Sequence, residues 1–239
     1  MFESIYKAIR KDAAPQIIEI GGRQYSDKLL HAVHTPTPDT IKVKTLTALV
    51  DYLNTNVDSL TIKTLICHVE SPSTVSIKSC LTGDFEDRAT YIMAELDQIN
   101  LPFNAWQDSE KFNIWLQSCF MELEGLAATD KGLVLKYIGN IKTVAEAGLT
   151  DDGVSQAVTV KSGIASVKNA VLPNPVTLRP FRTFTEVEQP ASSFVFRARQ
   201  NDGMEFMLVE ADGGAWRGEA MKNIKAYMQQ AIPELSVIA

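Results

Sequence analysis

The sequence is short of the residues on which most enzymes rely. It has three histidines, His31, His34 and His68, all before residue 70, and three cysteines, Cys67, Cys80 and Cys119. A nucleophilic Ser or Cys needs a neighbouring base, most often His, and no G-x-S-x-G elbow occurs. Structural zinc is held by four clustered ligands, usually in close pairs. Here Cys67 and His68 are neighbours on an expected strand, where successive side chains point to opposite faces. The phosphate-cradling patterns GxxxxGK[ST] and GxGxxG are missing. No catalytic residue, metal site or cofactor is therefore expected. Long apolar runs are missing too: no stretch approaches the ~18–20 residues of a membrane span, and the charged opening MFESIYKAIRKDAAPQ predicts no signal peptide. Sparse, unevenly spaced cysteines fit a reducing cytosol and not a disulfide framework. Positive charge is in deficit, with a net charge of −6. That argues against bulk affinity for duplex DNA, which comes from cations displacing counterions, although a local basic patch could override it.

What the chain has is ordinary core material. Hydrophobic residues make up 45% of 239 and charged residues 22%, a globular composition able to bury a sizeable core. The pattern predicts an α+β fold, with antiparallel sheets, segregated helices and two lobes. The stretch GLTDDG (148–153) is the best internal boundary, giving lobes at 1–148 and 149–239.

Residues 2–12 suit a short amphipathic helix. Gln16–Ile20 and Arg23–Ser26 flank Gly21-Gly22, a hairpin signal because glycine adopts positive φ cheaply. Ile41–Lys44 suits a brief strand. Leu46, Leu49, Val50, Leu53 and Val57 follow helical spacing from Thr45. Three strands joined by short turns are expected at 59–70, 74–81 and 88–96, and such a meander pairs antiparallel. Phe112, Trp115, Leu116, Cys119, Phe120 and Leu123 form one apolar stripe. Asp108 or Ser109 can cap that helix, and Gly125 can end it. A further helix is expected over 131–147 and strands over 156–161 and 205–210. A closing helix carries Trp216, Ala220, Ile224, Tyr227 and Met228. The acids Asp84, Glu86 and Asp87, and Asp151 and Asp152, sit beside turn glycines and read as turn formers. Gly213-Gly214 before the closing helix reads as a tight turn and, less simply, as a place for an anion.

The most distinctive stretch is Thr177–Arg199, TLRPFRTFTEVEQPASSFVFRAR. It reads as strand, proline-marked turn, strand. On its second strand Phe194, Phe196 and Ala198 alternate with Val195, Arg197 and Arg199, giving one apolar and one basic face. Arg179 and Arg182 add two guanidiniums on the first. If Arg179, Arg182, Arg197 and Arg199 converge, they make a cationic ladder for an anion, a nucleotide or a single strand. The competing reading is a solvated face answered by Glu186, Glu188, Glu205 and Glu210.

The run RPFRTFTEVEQPASSFVFR (179–197) resembles the signature region of an uncharacterised phage and prophage family, domain of unknown function 2303, YfdQ-like. Val43–Leu46 with Val50–Leu53, and the Trp106 and Trp115 region, resemble earlier segments of the same family. The resemblance implies a phage gene product expressed in the cytoplasm of a bacterial host, and it brings no established catalytic residue. The expected function is a non-enzymatic protein that self-associates and acts by binding, in host takeover or counter-defence. The alternatives are a nucleic-acid accessory protein of phage replication or recombination and a sponge for a nucleotide signal. Expected partners are a second copy of the chain, a host protein, a nucleotide or single-stranded nucleic acid, and not a membrane. Self-association is expected from Leu235, Val237 and Ile238 in the apolar tail, which need burial.

Overall fold

The computed structural model describes residues 3–5, 15–27, 37–82, 86–97, 100–121, 130–142, 147–151, 156–160, 168–171 and 174–239, with side chains omitted at 23 and 140–171. The chain divides into two compact units between Thr37 and Pro38. The first holds a hairpin of β1 (Ile17–Ile20) and β2 (Arg23–Ser26). It turns through Gly21 and Gly22 at φ 61° and 75°, as the sequence predicts. Of the helix expected over 2–12, residues 3–5 are helical and the rest lies outside the described residues, as do His31 and His34.

The second unit is α+β. Its larger sheet takes β3 (Ile41–Val43), β4 (Leu65–Ser71), β5 (Thr74–Ser79), β6 (Thr90–Glu95) and β14 (Ser236–Ile238) in the order β14-β4-β5-β6-β3. The β4–β5–β6 meander is antiparallel as expected, but both outer strands run parallel to their neighbours. Tight turns force antiparallel pairing. Strands that arrive from distant parts of the chain are free of that constraint. Strand β4 begins at Leu65 and not near 59, because Ser59 is left-handed at φ 52° and a 3-10 turn occupies Ile62–Thr64.

Helices α1 (Leu46–Thr55) and α4 (Trp216–Ala231) share a core with one face of this sheet. Leu46, Leu49 and Leu53 meet Cys67, Ile77 and Ile92 there, with Ile224 and Met228 from α4. Thr45 caps α1 by accepting a hydrogen bond from the Ala48 N–H, and Asn56 ends it in the left-handed region, leaving Val57 outside. The tail finds its burial within the chain. Leu235 and Val237 belong to the same core, while Ile238 stays half exposed.

The second sheet has the order β11-β12-β13-β7, all antiparallel, with β7 (Gln107–Asp108), β11 (Val176–Leu178), β12 (Ser192–Asn201) and β13 (Gly203–Glu210). Phe194, Phe196 and Ala198 are buried with Phe206 and Leu208 against α2 (Ser109–Cys119) and α3 (Asp130–Lys142). Asp108 caps α2, accepting from the N–H groups of Glu110 and Lys111. The helix stops at Cys119, short of Gly125, because Phe120 turns extended and bridges Pro180. A third sheet, β10-β9-β8, comprises β8 (Ala147–Asp151), β9 (Gln156–Val160) and β10 (Lys168–Val171). The GLTDDG stretch expected to separate lobes thus contributes to β8. Residues from before and after position 148 share both cores.

The distinctive Thr177–Arg199 stretch is a strand pair with a long strap between its members. β11 pairs with β12, and residues 179–191 cross from one core to the other. The Phe181 N–H bonds the Cys119 carbonyl at the end of α2. The Thr183 hydroxyl bonds the Pro72 carbonyl in the β4–β5 turn. Phe184 and Val187 enter the first core. Glu186 accepts from the Thr47 N–H in the first turn of α1, and the Glu188 carbonyl accepts from Asn223 on α4.

Candidate cleft at the junction of the two cores

A cleft of about 520 Å³ opens beside this strap. One side comes from the β4–β5 turn and the residues after β6, with Ser73, Leu96, Asn100 and Leu101. Phe103 and Phe181 supply aromatic wall, and Arg182, Glu210, Trp216 and Arg217 supply the charged end.

Arg182 is the anchored cation. Its side chain is 4% exposed. It donates to the Glu210 carboxylate and the Ser192 hydroxyl, and Ser192 in turn donates to Asp212. Its guanidinium lies 4.0 Å from the Trp216 ring centroid, a cation–π stack. Burial lowers its pKa and the Glu210 and Asp212 charges oppose that, with nearby Arg217 lowering it further. Guanidinium starts so basic that it stays charged regardless. Asp212 sits below its usual carboxylate range. Burial would raise it, but bonds from Ser192 and the Gly214 N–H prevail. Two buried nitrogens here, Arg182 Nε and Trp216 Nε1, have no hydrogen-bond partner.

Arg217 is the available cation. It is exposed, 5.1 Å from the Trp216 ring centroid, and among the described residues it makes no ion pair. Its guanidinium folds back over Gly214, against the place an added Cβ would take. Gly214 has φ +81°, a turn conformation that favours glycine. The Gly213-Gly214 pair, which reads in sequence as a tight turn, is one, with φ of 62° and 81°.

The four arginines singled out in the sequence do not converge. Arg179 pairs with Glu188, Arg182 with Glu210, and Arg199 with Glu205 while stacking 4.3 Å from the Trp106 centroid. Arg197 bonds the Phe196 carbonyl. Arg182 engages Ser192 at one end of β12 and Arg199 lies near the other, seven residues or roughly 23 Å along the strand at ~3.3 Å per residue. Only Arg182 reaches the cleft. Trp216 and Arg217, which share it, carry no motif. Their neighbourhood to Arg182 exists only once the strap packs against the ends of β12 and β13 and the start of α4.

Cys67 is fully buried and its thiol is pushed up to about 12 by burial. His68 lies on the opposite face of β4, beside Lys78 and Glu70. Among the described residues, no three His, Cys, Asp or Glu side chains cluster, and no helix is long and apolar enough to cross a membrane. Comparison with protein-family models, curated proteins and solved structures returns no match.

Proposed function

We propose that this protein works by binding and not by turnover, and that it captures a small anionic ligand in the Arg182–Trp216–Arg217 cleft. Arg217 carries the reading: an exposed guanidinium with no ion pair among the described residues, lying over Gly214 at a cleft whose inner cation is already neutralised. Guanidinium forks suit phosphate and carboxylate. Glu210, the carboxylate in the lining, is paired with Arg182. Isothermal titration with inorganic phosphate, pyrophosphate and adenosine monophosphate tests this. At least one should bind, more weakly as salt rises, and Arg217→Ala should lower that affinity about tenfold or more. If none of the three binds, the proposal is wrong.

The setting we propose is a phage product in a bacterial cytoplasm, where sequestering such a ligand would serve host takeover or counter-defence. Its support is the resemblance at 179–197. We also propose that the chain self-associates, supported by exposed Ile41 and Ile238 on the two outer strands of the five-stranded sheet. A monomer by light scattering at micromolar concentration would dismiss that. The nucleic-acid reading keeps one observation, the Arg199–Trp106 stack beside Arg197. It requires salt-sensitive single-strand binding that Arg197→Ala with Arg199→Ala abolishes.

A further inference from the structure

We infer that the ligand of this cleft is a mononucleotide, a flat base joined to a single phosphate. This rests on the anion reading above and adds the body and the charge of the ligand.

The body follows from the walls. Phe103 stacks on Phe194 at 5.1 Å and 23° and also faces the cleft. Phe181 lines the cleft with no ring partner among the described residues. Leu96 and Leu101 complete an apolar surface. A bare hydrated anion would leave that surface wet, whereas a flat heterocycle would cover it. Bases stack on aromatic side chains through faces common to all of them. Asn100 and Ser73 are polar residues of the same lining, Ser73 with its hydroxyl bonded to that of Ser71, and an amide such as that of Asn100 can donate to or accept from a base edge. An aliphatic acid would have no use for them. The volume, about 520 Å³, falls in the range of roughly 300–1,000 Å³ typical of small-molecule clefts.

The phosphate number follows from charge. Arg182 is answered by Glu210 and, through Ser192, by Asp212, which leaves Arg217 as the one cation of the lining without an ion pair among the described residues. One guanidinium fork suits one phosphate group, and a cyclic phosphodiester, with a single negative charge, matches it best. A triphosphate would bring several uncompensated negative charges into a partly apolar cleft.

The test is isothermal titration of the full chain with 3′,5′-cyclic AMP, cyclic GMP, AMP, ATP, inorganic phosphate and octanoate. At least one single-phosphate nucleotide should bind tenfold or more tighter than ATP, phosphate or octanoate. Phe181→Leu should weaken that nucleotide about fivefold or more and leave phosphate unchanged. Arg217→Ala should weaken both. Thermal melts confirm that each variant is folded. If phosphate or octanoate binds as tightly as the nucleotides, the mononucleotide inference falls and the anion reading survives. If ATP binds as tightly as AMP, the charge argument falls and with it the inference. If nothing in the panel binds, both readings fall.

Discussion

Gln189 is the residue that best explains the distinctive strap. It is 1% exposed. Its Nε2 donates to the carbonyls of Thr183, Phe184 and Val187, and its Oε1 accepts from the N–H groups of Arg182 and Thr183. An irregular segment crossing a core must satisfy its backbone without a ladder, and one side chain does much of that here. Gln189→Ala would strand several buried groups, each costing ~1–3 kcal/mol. The expected loss is roughly 3 kcal/mol, read as a lower urea midpoint with little change in slope. A loss below roughly 1 kcal/mol would mean that the strap satisfies itself otherwise. Nothing in the sequence singles out Gln189, because a glutamine before a proline reads as surface turn until its carbonyl partners are known. The arginines show the reverse. Their type and alternation were legible, and their separation along β12 was not.

At the scale of elements, local rules were reliable where one face of one element meets one core. Of the expected stripe, Phe112, Trp115, Leu116 and Phe120 are buried, Cys119 is half-buried and Leu123 lies outside the described residues, and the alternation on β12 gives buried Phe194, Phe196 and Ala198. The rules misplaced ends, where tertiary pairing outbids helix propagation, as at Phe120 against Pro180. The outer face of the five-stranded sheet carries its own prediction. Glu70 accepts from the Ser76 hydroxyl and pairs with Lys78 across the strands. Burial would raise the Glu70 pKa, but those bonds and the Lys78 charge hold it below the ordinary glutamate value of 4.5. Its folded pKa is therefore below its unfolded one. The stability it contributes is complete above about 4.5 and is lost as pH falls through the lower folded pKa. The stability gap between the parent chain and Glu70→Gln should close as pH drops below that range. A gap that stays constant from pH 6 to pH 3 would contradict this linkage.

At the scale of the molecule, the chain interleaves its two cores. Helix α2 and strand β7 precede residue 148 yet serve the second core, while α4 and β14 follow it and serve the first. The last strand is consequently part of the fold and not an appendage. Val237 is 8% exposed and lies opposite Cys67. A carboxylate there would enter the core without a partner. Val237→Asp should cost roughly 3 kcal/mol or more in chemical unfolding, and it should make the Cys67 thiol, otherwise buried, accessible to alkylation in the native state. If Val237→Asp leaves Cys67 protected, β14 is not needed to close that edge.

Hydrophobic spacing, turn glycines and capping residues are local properties, so the sequence alone determined the α+β class, the Gly21-Gly22 hairpin, the β4–β5–β6 meander, most helices and the buried face of β12. They act within a few residues and need no partner to be read. The parallel outer strands, the strap held by Gln189, and the cleft of Arg182, Trp216 and Arg217 depended on tertiary structure. Each joins residues far apart in the chain, and no local periodicity encodes which distant strand, carbonyl or ring a side chain will meet.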